Sequence, residues 1–160
     1  MSTAPNAEKS QKGGEPSAGR FSAQERAAMK ARAAELKAER RRASAEEKAA
    51  ADEAAVRAKI AEMPEPDRDM AERVHTIVTA AAPELQPKLY YGQPGWAIAG
   101  TIIVFFRSGL VDKARYSTLG FSERANLDEK SGLWPTSFGL ERITDDTAKT
   151  ITKLVKKAVS

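Results

Sequence analysis

Five consecutive residues, Ile102-Ile103-Val104-Phe105-Phe106, constrain this chain more than any other feature. Side chains of a strand alternate between two faces, so a run that is apolar on both alternations needs both faces covered. The run closes the segment Leu89–Arg107, which also holds Tyr90, Tyr91, Gln93-Pro94-Gly95 and Trp96. Gln93-Pro94-Gly95 suits a tight turn, with proline fixing φ and glycine supplying positive φ. Trp96–Ala99 and Thr101–Arg107 then flank Gly100 as a hairpin or a bulge. Ala114–Phe121 reads as a third strand and Phe138–Ile143 as a fourth.

Two amphipathic helices frame these strands. Over Asp67–Ala82 the apolar residues Met70, Val74, Ile77, Val78 and Ala81 share one face, and Pro83 stops the helix. Near the C-terminus, Thr144-Asp145-Asp146 reads as an N-cap with an acidic first turn. Ile151, Leu154, Val155 and Ala158 follow on one face, with Lys149, Lys153, Lys156 and Lys157 off it. Helix, strands, helix predicts an α+β fold: a two-layer sandwich, with the N- and C-terminal helices on one face of a small antiparallel sheet. The helices cover one face of the 102–106 run. The 122–138 loop, a partner subunit or a ligand is left to cover the other.

Upstream the composition changes twice. Residues 1–20 are mostly Ser, Gly, Pro, Lys and Glu, with too little to bury to offset their ordering entropy, and read as a disordered tail. Residues 21–63 are rich in alanine and charge, and read as a helical extension with a capping box at Ser22 and Glu25. Glu53 and Arg57 support it at i,i+4. Met29, Leu36, Val56 and Ile60 are too few for a coiled-coil seam. Residues 64–160 then form the α+β domain.

Charge, cysteine and hydropathy exclude several classes. Residues 1–63 carry 13 Lys/Arg against 10 Asp/Glu, or +3, and residues 64–160 carry 13 against 12, or +1. The α+β domain is therefore not a strongly basic nucleic-acid domain. With no cysteine, thiolate catalysis and Cys-based metal sites are excluded, and a cytoplasmic setting is permitted. No apolar run reaches the ~18–20 residues of a membrane span, and no apolar leader stands at the start. The expectation is a cytoplasmic protein with no membrane partner.

Several segments together resemble the YdhG-like domain family, a bacterial domain of largely unknown function. They are Leu89–Trp96, the apolar strand Thr101–Arg107, Thr118–Ser122 with Ala125–Asp128, Leu133–Phe138, and Leu154–Ala158. The resemblance covers roughly 67–160. It implies an α+β fold, and frataxin-like iron chaperones among its members make iron a candidate cofactor. It assigns no catalytic residue.

Four sets of residues are candidates for function. Glu65, Asp69 and Glu72 fall at i, i+4 and i+7 and offer oxygen ligands for iron, and Glu72 with His75 has the Glu-x-x-His spacing of di-iron sites. Such sites use that motif twice, and His75 is the single histidine. Solvated carboxylates that complement the helix dipole, beside a satisfied, partly buried histidine, are the plainer reading. Tyr90, Tyr91, Trp96 and Trp134, with Phe121 and Phe138, can wall a ligand pocket whose polar groups are Gln93, Glu123, Arg124 and Asp128. Core packing is the alternative. Glu123 and Asp128 lack a nucleophile or partnered base, so no reaction is nominated. Arg26, Lys30, Arg32, Lys37, Arg40, Arg41 and Arg42 make a basic segment for nucleic acid or an acidic partner, against a merely solvated helix interleaved with glutamates.

The sequence thus reads as a non-enzymatic module binding a small ligand or metal. A nucleic-acid-associated or adaptor protein working through 21–63 is the alternative, and a homodimer through the 102–106 strand is a third expectation.

Overall fold

The structure is a computed structural model that describes residues 21–160. The expected disordered tail at 1–20 lies outside the described residues. The chain divides into two compact units, with the boundary between Ser44 and Ala45.

Helix α1 spans Ala23–Glu62 without a proline or glycine. The Ser22 hydroxyl accepts the Glu25 backbone N–H at 3.1 Å, which is the N-cap half of the expected box. Every residue from Phe21 to Ser44 is exposed. This stretch is held by alanine propensity and by pairs such as Arg32–Glu35 at 3.2 Å, not by burial.

The second unit, Ala45–Ser160, is the α+β fold. Helix α2 spans Asp67–Ala81, strands β1 to β5 span Gln86–Tyr90, Gln93–Ile98, Thr101–Arg107, Ser117–Phe121 and Ser137–Leu140, and helix α3 spans Asp145–Ala158. The strands form one antiparallel meander in the order β1-β2-β3-β4-β5. Thr144 caps α3 by accepting the Thr147 N–H, as its sequence predicts.

Three expectations need correction. The helix layer contains part of α1 as well as α2 and α3. Val56, Ile60 and Met63 are buried in the same core cluster as Val74, Trp96, Phe106 and Val155. The domain therefore starts upstream of residue 64. Only one side of the last turns of α1 is buried, which leaves too few apolar residues to mark a stripe.

The second correction concerns the turn. Gln93-Pro94-Gly95 is not a turn but the start of β2, and the missed strand β1 pairs with it. The reversal falls one step earlier, at Tyr91-Gly92, with φ of 47° and 75°. Ala99-Gly100 repeats the pattern at 49° and 80°, between paired Ile98 and Thr101. Two residues at positive φ between antiparallel partners are the requirement of a type I′ hairpin. Pro94 is tolerated because β2 begins pairing with β3 only at Gly95, so no ladder bond to β3 is lost.

The third concerns the doubly apolar run. Trp96 pairs with Val104 and Ala97 with Ile102, so Ile103 is an extra residue, a β-bulge. Ile103 and Val104 consequently both join the core, together with Phe106. The 122–138 loop does not cover the opposite face. It packs Ala125 and Leu127 into the core, and the Asn126 N–H bonds the Ala158 carbonyl at the end of α3.

Candidate functional site

One row of the sheet explains its open face. Lys88, Gly95, Phe105, Gly120 and Ser137 stand in register across all five strands. The glycines leave hollows that neighbouring side chains fill. A Cβ on Gly120 would sit 2.1 Å from Cζ of Phe105, so that ring lies directly on the glycine. A Cβ on Gly95 would meet Ile102 Cδ1 at 2.9 Å, and one on Gly139 would meet the Tyr116 ring at 3.1 Å. Two of the run's residues, Ile102 and Phe105, are thus half-covered by their own sheet.

The aromatic row continues outward. The Tyr90 ring lies 5.1 Å from Phe105, and Tyr91 packs edge-on to Tyr90 at 4.6 Å. Tyr91 is 84% exposed. It also holds a left-handed backbone, which costs an ordinary L-residue roughly 1–2 kcal/mol and which Asn or Gly would adopt more easily. Lys88, Tyr90 and Tyr91, the Gly100–Ile102 segment and Ser122–Arg124 together line an open groove of about 640 Å³.

The charges of this face are one-sided. The five strands contain Lys88 and Arg107 and no Asp or Glu. Arg107 is paired with Asp112, and that carboxylate holds its guanidinium above its ordinary pKa. Among the described residues, neither Lys88 nor Arg124 meets a carboxylate within salt-bridge distance. Glu123 is the one acid lining the groove.

The expected pocket is only partly assembled. Tyr90, Tyr91, Glu123 and Arg124 share the groove. Trp96 and Phe121 do not: both are buried in the helix-side core. Trp134 and Phe138 pack against that core, and Asp128 is exposed on the loop tied to α3. Gln93 is buried beside Lys59, Glu62, Met63 and Val111 in a separate cavity of about 200 Å³, where its Oε1 finds no donor. Burial of Trp96 follows from β2 being a strand: its alternation turns Trp96 inward and the row of Gly95 outward.

The acidic row fails as a metal site for a different reason. Among the described residues no three His, Asp or Glu side chains converge. Glu65 is instead spent on α2, accepting from Arg68 at 2.8 Å and from the Asp69 N–H at 3.3 Å. Glu72 is exposed. His75 faces the core, where its Nδ1 accepts the Trp96 indole N–H at 3.1 Å. That bond requires a neutral ring protonated at Nε2. Burial, then the Arg57 charge, lower the His75 pKa, with Glu53 opposing. Asp67, at the first turn of α2, is buried and accepts from Ser108 Oγ and, at 3.0 Å, from the Leu110 N–H.

The basic segment separates by helical geometry. At about 100° per residue, Arg26, Lys30, Lys37 and Arg41 fall within roughly 60° of one another, and Arg32, Arg40 and Arg42 lie elsewhere. All seven are exposed.

Sequence reasoning missed Lys88, Phe105, Ile102 and Ser122 as site residues. The alternation of Lys88 and Tyr90 was the available signal, interrupted by Pro87 and Leu89. No family model, curated protein or solved structure matches this chain. No helix among the described residues is long and apolar enough to cross a membrane.

Proposed function

We propose that this chain is a small binding module whose working surface is the open face of the sheet, at the groove between Tyr91 and Arg124. The observation that carries the reading is Tyr91. A large aromatic ring stands 84% exposed at a left-handed turn position, beside a groove with two unpaired cations. Ala99 and Lys113 share this backbone conformation, but of the three only Tyr91 holds a large aromatic ring in solvent, and it is that combination that signals use of the side chain. The matching ligand has a flat ring for Tyr90 and Tyr91 and an anionic group for Lys88 and Arg124. Membership of the YdhG-like family is proposed on the sequence motifs, and a cytoplasmic location on the absence of cysteine.

Anilinonaphthalene sulfonate, a fused-ring anion, tests the reading. Its addition to the full chain is expected to shift the backbone amide signals of Lys88, Tyr91, Ile102 and Arg124. Shifts confined to the helix side, around Val74 and Val155, would place the site elsewhere and sink the proposal.

A further inference from the structure

Resting on that reading, we infer that the open face binds single-stranded nucleic acid, with bases stacked on the Tyr90–Tyr91 pair and phosphates held by Lys88 and Arg124. Sequence-tolerant binding of single strands needs two things in one place: aromatic faces for bases and cations along the backbone path. The sheet supplies both.

The geometry favours a strand over other occupants. The floor of the face is flat because Gly95, Gly120 and Gly139 give it no standing side chains, and Phe105 lies down on Gly120. An extended polymer can follow such a floor, whereas a compact ligand meets no enclosing wall. The strands carry no carboxylate, and Lys88 is the one charged side chain of the row from Lys88 to Ser137.

Glu123 gives the inference a sharper edge. A carboxylate in a nucleic-acid groove repels phosphate but accepts from an exocyclic amine, as glutamate does from cytosine N4. Uracil and thymine carry no such amine. Cytosine-rich strands therefore bind more tightly than uracil- or thymine-rich ones.

The competing location is the basic stripe Arg26, Lys30, Lys37 and Arg41 on α1. It offers phosphate contacts with no aromatic ring, the pattern of duplex or general polyanion attraction.

The test is fluorescence anisotropy of labelled cytosine- and uracil-rich octamers with the full chain. Binding is expected to weaken with salt at a slope of about −1.4 in log K against log salt, from two cations at roughly 0.7 each. Tyr91→Asn keeps a turn-compatible residue and removes the ring; it should weaken binding about tenfold, given 1–3 kcal/mol per stacked base. The Lys88→Gln/Arg124→Gln variant should flatten the salt slope, and Glu123→Gln should shrink the cytosine preference.

Two results overturn the inference. No anisotropy change for any octamer up to about 100 µM, the weak end of non-specific binding, removes it. Tyrosine-dependent binding of anilinonaphthalene sulfonate would then leave the binding-module reading standing, and failure of both probes would remove both. Binding unchanged by the sheet variants but lost on Arg26→Gln/Lys30→Gln/Lys37→Gln/Arg41→Gln would move the nucleic acid to α1.

Discussion

The two faces of one sheet are built on opposite rules. The helix side is filled by large side chains: Trp96, Val104, Phe106 and Leu119 are at most 1% exposed, beneath α2, α3 and the end of α1. The open side is filled by removing side chains, with glycines in three strands and neighbours laid on them: Phe105 on Gly120, Tyr116 on Gly139 and Ile102 against Gly95. Filling stabilises through burial and contact. Flattening leaves a surface. The same strand β3 serves both because the bulge at Ile103 turns Ile103, Val104 and Phe106 to the core while Phe105 stays outside. Apolar sequence on both alternations therefore does not require two covering layers.

Truncating each side in turn tests this contrast, and the helix side is expected to lose most. Phe106→Ala should cost about 3–5 kcal/mol in urea unfolding, the range for a buried phenylalanine. Phe105→Ala, on the half-covered side, should cost clearly less, and equal losses would break the contrast. Gly120→Ala comes next. Its methyl meets the tip of the Phe105 ring, which can swing, so a loss of roughly 1–3 kcal/mol is expected with the ring displaced. No loss would mean that the ring does not lie on the glycine.

The His75–Trp96 bond gives a signed effect on the filled side. The folded pKa of His75 is lowered below its ordinary value, chiefly by burial. Between the two values the unfolded chain holds more protons, so stability falls as pH drops below about 6.5 and is independent of this group above it. Urea midpoints at pH 5 and 7.5 should differ in that direction, and the difference should shrink in His75→Phe. The smallest change belongs to the open side. Tyr91→Asn should leave stability unchanged or raise it by up to about 1 kcal/mol, because Asn suits the left-handed turn. A loss above that size would make Tyr91 a structural residue.

Much of this architecture was legible from periodicity. The stripes Met70–Ala81 and Ile151–Ala158, the reversal at Gly100 and the Thr144 cap each rest on residues close to one another in sequence, where local rules operate. What was hidden depended on distant partners or misleading composition. Asp67 looks like a dipole-complementing carboxylate, and nothing nearby shows that Ser108 and Leu110, more than 40 residues on, will bury it. Pro94-Gly95 looks like a turn, and the true turn contains a tyrosine, a poor turn residue. The site was half-legible for the same reason. Tyr90, Tyr91, Glu123 and Arg124 stood out by type, but their separation from Trp96 and Trp134 depends on strand parity, which a misplaced turn inverts.

The meander has a kinetic consequence. Each strand pairs only with its neighbours in the chain, and β1, β2 and β3 are joined by two-residue connections. Closing such short loops costs little entropy, so these three strands can associate before any distant contact forms. β5 must wait for the much longer 122–136 connection to close. The groove between the Tyr91 turn and Arg124 is lined by β1, β3 and the residues directly after β4, with Ser122 tied to β3, so it can be complete before β5 docks.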